Sequence, residues 1–178
     1  AYCLVNFNIM YAIIQLFMTC YLNNLGLKFG DGMYIVQDLF YSLFLGLSIA
    51  YTPPQNNLDK ILPPQRFLSQ GILMKLIGQL VIFPLFQYFG LLALKTQSWY
   101  TEFTTDDPLE HSISYETTTI NAIALAQLMI ASVVVTIGSP FRRPWYESRI
   151  HWICLVGQFS WLRYILFSPY SGFLKMMS

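Results

Sequence analysis

The chain has 178 residues, of which 55% are hydrophobic, 17% aromatic and only 11% charged, against about 25% charged in ordinary soluble domains. With a mean hydropathy of +0.48, this is the composition of a membrane protein and excludes a soluble fold of ordinary makeup. The net charge of +1 argues against nucleic acid as a partner, since no bulk positive field is available.

A membrane helix needs about 20 largely apolar residues, and five stretches meet that length: 1–22, 33–51, 69–94, 117–137 and 150–169. The expected fold is therefore an all-α polytopic membrane bundle. The first span opens inside an apolar run at Ala1, with no Met and no basic n-region, and reads as a piece of a larger protein rather than a signal peptide. Residues 23–32 read as a turn, with Asn23, Asn24, Gly26 and the run Gly30-Asp31-Gly32. The second span carries one carboxylate, Asp38. An acid at the centre of a membrane helix costs about 2.5–3.5 kcal/mol on insertion scales, so it marks a functional position by default. The connector 52–68 holds two Pro-Pro pairs. The third span contains Pro84, which removes a backbone donor and predicts a kink.

Loop charges set the orientation. The polar stretch 95–116 carries Glu102, Asp106, Asp107, Glu110 and Glu116 against Lys95 alone. Connector 138–149 has Arg142, Arg143 and Arg149 against Glu147, and connector 52–68 has Lys60 and Arg66 against Asp59. Because Lys and Arg in short loops stay on the cytoplasmic side, the two basic connectors are expected in the cytosol. The acidic loop and the 23–32 turn are then expected outside or in a lumen. Asp38 follows about 9 Å into its span at the helical rise per residue, toward the lumenal half.

Two polar stripes emerge at helical spacing. Asn8, Tyr11, Gln15 and Thr19 share one face of the first span, and Tyr34, Gln37, Asp38 and Tyr41 share one face of the second. The short turn makes the two helices antiparallel neighbours, so the stripes are expected to face each other or a common cavity. Asn, Gln, Tyr and Thr in such positions commonly serve as interhelical glue, worth about 0.6 kcal/mol per contact, and Asn8 and Thr19 are read that way. Asp38 among tyrosines and glutamines suits an amine instead: the carboxylate supplies a charge-assisted bond and the rings cation–π attraction. A hard metal ion prefers six or more oxygen ligands, and no metal-ligating residues are assigned. A proton relay through Asp38 is the other option.

The remaining chemistry-bearing residues have plainer readings. Cys3, Cys20 and Cys154 lie in apolar stretches without CxxC spacing and read as inert packing thiols. Lys75 and Arg163 are expected to snorkel to the interfaces. His151 is expected at the interface beside the basic connector, and His111 in solvent. No GxSxG, phosphate-cradling glycine loop or aspartyl-phosphate motif is present, so no catalytic residues are assigned and this stretch by itself hydrolyses no ATP.

Six local motifs, in order and at matching spacing, give the chain a family likeness. Tyr11-Ala-Ile-Ile-Gln15 resembles a Tyr-Ser-x-x-Gln motif, and Gln37-Asp38-Leu39 an acidic motif one helix later. Pro63-Pro64-x-x-x-Leu68-Ser69, Trp99-Tyr100, Tyr115-Glu116-Thr117-Thr118 and Pro140-Phe141-Arg142-Arg143-Pro144-x-Tyr146 complete the series. Together they resemble the C-terminal half of the membrane domain of the type-V, subgroup B P-type ATPases, the polyamine-transporting pumps. Thr117 replaces the family's usual Asn. The resemblance implies a parent that couples aspartyl-phosphate formation to movement of a polyamine from lumen to cytosol, using ATP and Mg²⁺ in domains outside this stretch. It implies Tyr11, Gln15 and Asp38 as substrate contacts, and helical geometry adds Tyr34, Gln37 and Tyr41. The implied surroundings are an endosomal, lysosomal or vacuolar bilayer together with the parent's remaining membrane helices and cytoplasmic domains. The alternatives are a metal- or proton-moving pump of a neighbouring class, or a non-enzymatic membrane scaffold whose polar residues only pack helices.

Overall fold

The computed structural model describes residues 2–53, 70–101, 114–136, 143 and 145–167. Five long helices follow one another: α1 (Tyr2–Asn24), α2 (Asp31–Ala50), α3 (Gln70–Lys95), α4 (Tyr115–Thr136) and α5 (Arg149–Phe167), with a short 3₁₀ turn at Trp145–Glu147 before α5. Among the described residues there is no strand. All five helices have the length and apolar composition to cross a membrane, so the all-α polytopic expectation holds. Residues 54–68 of the basic connector 52–68, residues 138–142 and 144 of the connector 138–149, most of the acidic loop and His111 lie outside the described residues, as does the side chain of Lys75.

Helix α4 is the centre of the bundle and packs against α1, α2, α3 and α5. Lipid tails are as apolar as leucine, so hydrophobicity alone does not drive membrane helices together; close packing and interhelical hydrogen bonds do. Accordingly α4 buries small residues (Ala124, Ala131 and Ser132) beside Ile120, Leu125 and Leu128. Helix α1 meets this surface with Phe7, Met10, Ile14, Met18 and Leu22, spaced three and four apart as one helical face requires. Helices α3 and α4 approach closely at Gly90, where an added Cβ would require the Ile123 side chain to shift. In α3, by contrast, Met74, Phe86 and Phe89 are well exposed, the pattern of a surface turned to lipid.

The chain leaves α1 through a Schellman closure. Gly26 takes the left-handed conformation at φ 70°. Leu27 N–H donates to the Leu22 carbonyl at 2.9 Å and Gly26 N–H to the Asn23 carbonyl at 3.1 Å, the paired bonds that satisfy carbonyls at a helix end. The apolar contact that accompanies this motif is present: Leu22 and Leu27 are both buried in the core.

At the loop-to-helix entry of α4, Ser114 caps the helix. Its Oγ accepts from Thr117 N–H at 3.0 Å, filling one of the orphan donors of the first turn. Here two of the sequence motifs meet. The rings of Trp99 and Tyr115 pack edge to face with centroids 5.4 Å apart, and Tyr100 Oη donates to Glu116 Oε1. Glu116, counted in the sequence among the acids of an outer loop, is in fact only 3% exposed. It sits in the first turn of α4, where the helix dipole favours negative charge.

Two outcomes follow. Gly26→Ala forces a Cβ into a left-handed position, which costs roughly 1–2 kcal/mol. Thermal melting of the full-length protein in detergent should fall for Gly26→Ala and fall less for Gly26→Asn, and equal melting of all three would contradict the turn described. Tyr100→Phe removes the donor to a buried carboxylate, a loss of about 1–3 kcal/mol. Adding Glu116→Gln removes the stranded charge, so the double variant should melt above Tyr100→Phe alone.

Candidate functional site

The polar residues of α1 lie one position after its core stripe. Phe7, Met10, Ile14 and Met18 are buried, while Asn8, Tyr11, Gln15 and Thr19, each next in sequence, are half-buried or exposed. One residue is about 100° around a helix. The polar stripe therefore borders the core and faces a side that the described helices leave open.

Helix α2 departs from the expected geometry. It begins as an α-helix at Asp31–Ile35, becomes a π-helix over Val36–Leu43 and returns to α at Phe44–Ala50. A π-helix bonds each N–H to the carbonyl five residues back and is frequent at functional sites. Its wider turn changes which residues share a face. The buried row runs Met33, Gln37, Tyr41, Leu45 and Ile49, with a spacing of four throughout. The neighbouring row holds Tyr34 and Asp38, half-buried and exposed respectively. The single face predicted for Tyr34, Gln37, Asp38 and Tyr41 is thus two faces, because the α-helical period assumed in the sequence does not hold over 36–43.

Across the two helices the rows meet. Tyr11 Oη donates to Asp38 Oδ1, and Gln15 Nε2 donates to Tyr11 Oη at 3.1 Å. These three residues form one chain of hydrogen bonds on the open side of α1 and α2. Tyr34 packs edge to face on Phe29, with centroids 4.6 Å apart. Gln37 and Tyr41 point elsewhere. Gln37 is fully buried, and neither of its amide atoms has a hydrogen-bond partner among the described residues. Tyr41 is also fully buried, and its hydroxyl donates to the Gln158 backbone carbonyl in α5 at 2.8 Å.

The α2–α5 contact carries polar groups the sequence reading did not single out. Gln158 Nε2 donates to the Phe40 carbonyl at 2.9 Å and to the Tyr41 carbonyl at 3.4 Å. Ser48 Oγ lies 2.8 Å from His151 Nδ1. His151 is fully buried within the bundle: it lies on the inward row of α5 with Leu155, Gln158 and Leu162. The spacing of that row was legible, but proximity to the basic connector drew the residue to the surface. A further polar group sits where α1, α3 and α4 meet at Pro84. Gln87 Nε2 donates to Gln127 Oε1 at 3.0 Å, Gln127 Nε2 donates to the Phe83 carbonyl at 2.9 Å, and Tyr21 Oη donates to the Pro84 carbonyl at 3.1 Å. Among the described residues no group of three or more His, Cys, Asp or Glu side chains gathers. Asp38 brings one carboxylate to its site, and its donor there is a phenol.

No protein-family model matches the chain. Individual proteins do. The chain is 25% identical over 191 residues to the human protein named polyamine-transporting ATPase 13A3, an alignment covering 95% of this chain and 16% of that protein. It is 25% identical over 146 residues to human polyamine-transporting ATPase 13A2, covering 78% of this chain and 12% of that protein. It is 23% identical over 202 residues to the chicken protein named probable cation-transporting ATPase 13A4, covering 94% and 16%. The resemblance to the type-V pumps therefore holds along most of the chain, and the chain spans about one-sixth of the length of these relatives.

Proposed function

We propose that this chain is the C-terminal transport portion of an ATP-driven pump that moves polyamines from a lumen to the cytosol, with Asp38 as the carboxylate partner of a substrate amine. The observation that carries the reading is the Gln15–Tyr11–Asp38 chain of hydrogen bonds on the open side of α1 and α2. An ionised carboxylate has about four acceptor positions on two oxygens. The Tyr11 hydroxyl takes one, which holds the carboxylate in place and leaves capacity for an ammonium group. Gln15 accounts for the other side of the Tyr11 hydroxyl, so the phenol is oriented before any ligand arrives. The Tyr11 and Tyr34 rings add faces that attract a cation. In a low-dielectric membrane interior such a fixed acid is worth far more to an incoming cation than the same acid in water.

Gln37 and Tyr41 belong to this reading as the buried wall behind the site rather than as first contacts, because both lie on the inner row of α2. ATP and Mg²⁺ supply the driving chemistry in such a pump. The described residues do not fit a Mg²⁺ site, so no residue of this chain is given a role toward either. The bilayer, the parent's other membrane helices and its cytoplasmic domains are the partners proposed. An endosomal, lysosomal or vacuolar membrane is the proposed location.

The reading is tested in the full-length parent with Asp38→Asn. A hydrogen bond to a charged group is worth about 1.5–3 kcal/mol, so the spermine concentration that half-maximally stimulates dephosphorylation should rise about tenfold or more. Wild-type stimulation in the variant would remove Asp38 from the site. Stimulation of the wild-type parent by a divalent ion and not by polyamines would favour the metal-pump alternative.

A further inference from the structure

We propose that Gln158 in α5 is a positioning residue for the site on α1 and α2: it holds the π-helical stretch of α2 and, through it, the alignment of Asp38 with Tyr11. The inference rests on the function proposed above, but its first test needs no substrate.

Val36–Leu43 is bonded with the five-residue spacing of a π-helix, and Phe44–Ala50 resumes α-helical spacing. At the junction the ladder has to change step. Phe44 N–H donates to the Tyr41 carbonyl, a tightened three-residue step. Phe40 and Tyr41 present their carbonyls at this junction, and the Gln158 side-chain amide donates to both. The contact is reciprocal, because Tyr41 Oη donates to the Gln158 backbone carbonyl. Gln158 and Tyr41 are 2% and 0% exposed, so neither water nor lipid headgroups stand in for these bonds. Within a bilayer, backbone groups at an irregularity are satisfied by local adjustment of the ladder and by neighbouring helices, and the Gln158 amide is the neighbouring donor to both carbonyls here.

The link to the site is rotational. Asp38 lies within the π-stretch, three residues before Tyr41, and on the row beside it. If Val36–Leu43 reverted to α-helix, the residues before the junction would turn about the helix axis relative to those after it. Asp38 would then leave the line of the Tyr11 hydroxyl. Gln158 touches neither Asp38 nor Tyr11 in the hydrogen bonds seen, so its effect on the site runs through the backbone of α2. Ser48 and His151 join the same two helices about two turns further along, which adds a second contact by which α5 supports α2.

The experiment uses the full-length parent with reactive native cysteines replaced, carrying Tyr11→Cys and Asp38→Cys. A short bifunctional thiol reagent should bridge the pair, and Gln158→Leu should cut the bridged fraction severalfold. Tyr41→Phe removes the reciprocal bond with little change in shape and should cut it less. It serves as the readout if Gln158→Leu does not reach the membrane. In the parent with Tyr11 and Asp38 intact, Gln158→Leu should raise the half-stimulating spermine concentration at least about threefold, the equivalent of one interhelical hydrogen bond. The same substitution on top of Asp38→Asn should add nothing. Bridging unchanged by both Gln158→Leu and Tyr41→Phe would overturn the proposal, as would a full additional effect of Gln158→Leu in the Asp38→Asn background. If Asp38→Asn alone leaves stimulation intact, the substrate assignment fails while the cross-link still decides the positioning role.

Discussion

In a bilayer a backbone group that loses its helical partner finds no water to replace it, and this constraint organises the bundle. Among the described residues the regular helical ladder changes at Pro84 and over the π-stretch, and a glutamine from a neighbouring helix bonds backbone carbonyls beside each. Beside Pro84, Gln127 of α4 donates to the Phe83 carbonyl and Tyr21 of α1 to the Pro84 carbonyl. At the end of the π-stretch, Gln158 of α5 donates to the Phe40 and Tyr41 carbonyls. Interhelical polar contacts are worth only about 0.6 kcal/mol on average, but leaving a buried carbonyl or amide without its partner costs about 1–3 kcal/mol. The second figure governs here. These glutamines do more to keep the irregular backbone in one arrangement than to add attraction between helices.

This gives α4 and α5 distinct roles. Helix α4 is the hub, and its small residues let α1 and α3 approach. Helix α5 braces α2 along one inward row: His151 on Ser48, then Gln158 on the π-stretch. With α2 held from behind, its other row carries Asp38 to the open side, where the Tyr11 hydroxyl and the Gln15 amide complete the arrangement. An acid placed there is costly for a membrane helix. In the function proposed, that cost is offset when a cationic substrate arrives.

The five helices were legible in the sequence because apolar runs of bilayer length have few other readings. The turn at 23–32 was legible from its glycines, and Gly26 in particular proves to hold the left-handed position. Tyr11, Gln15 and Asp38 were selected from helical spacing, and the structure brings those three together. Gln37 and Tyr41 were grouped with them for a reason that fails physically. The periodicity argument assumes 3.6 residues per turn, and nothing in the composition of 36–43 announces a wider turn. The π-stretch is held by tertiary contacts from α5, more than 100 residues away, and a local pattern has no access to them. His151 and Glu116 were both misplaced toward the surface. Each sits near a charged connector in sequence, yet each is buried by a partner, Ser48 or Tyr100, that only the fold brings into reach.

The most direct measurement is a cryo-EM structure of the full-length parent with spermine bound, resolved well enough to place side chains in α1 and α2. The account predicts a substrate nitrogen within hydrogen-bonding distance of the Asp38 carboxylate, roughly 2.7–3.2 Å, with Tyr11 still donating to that carboxylate and the 36–43 segment still π-helical. Spermine held elsewhere, with Asp38 contacting only protein, would contradict it.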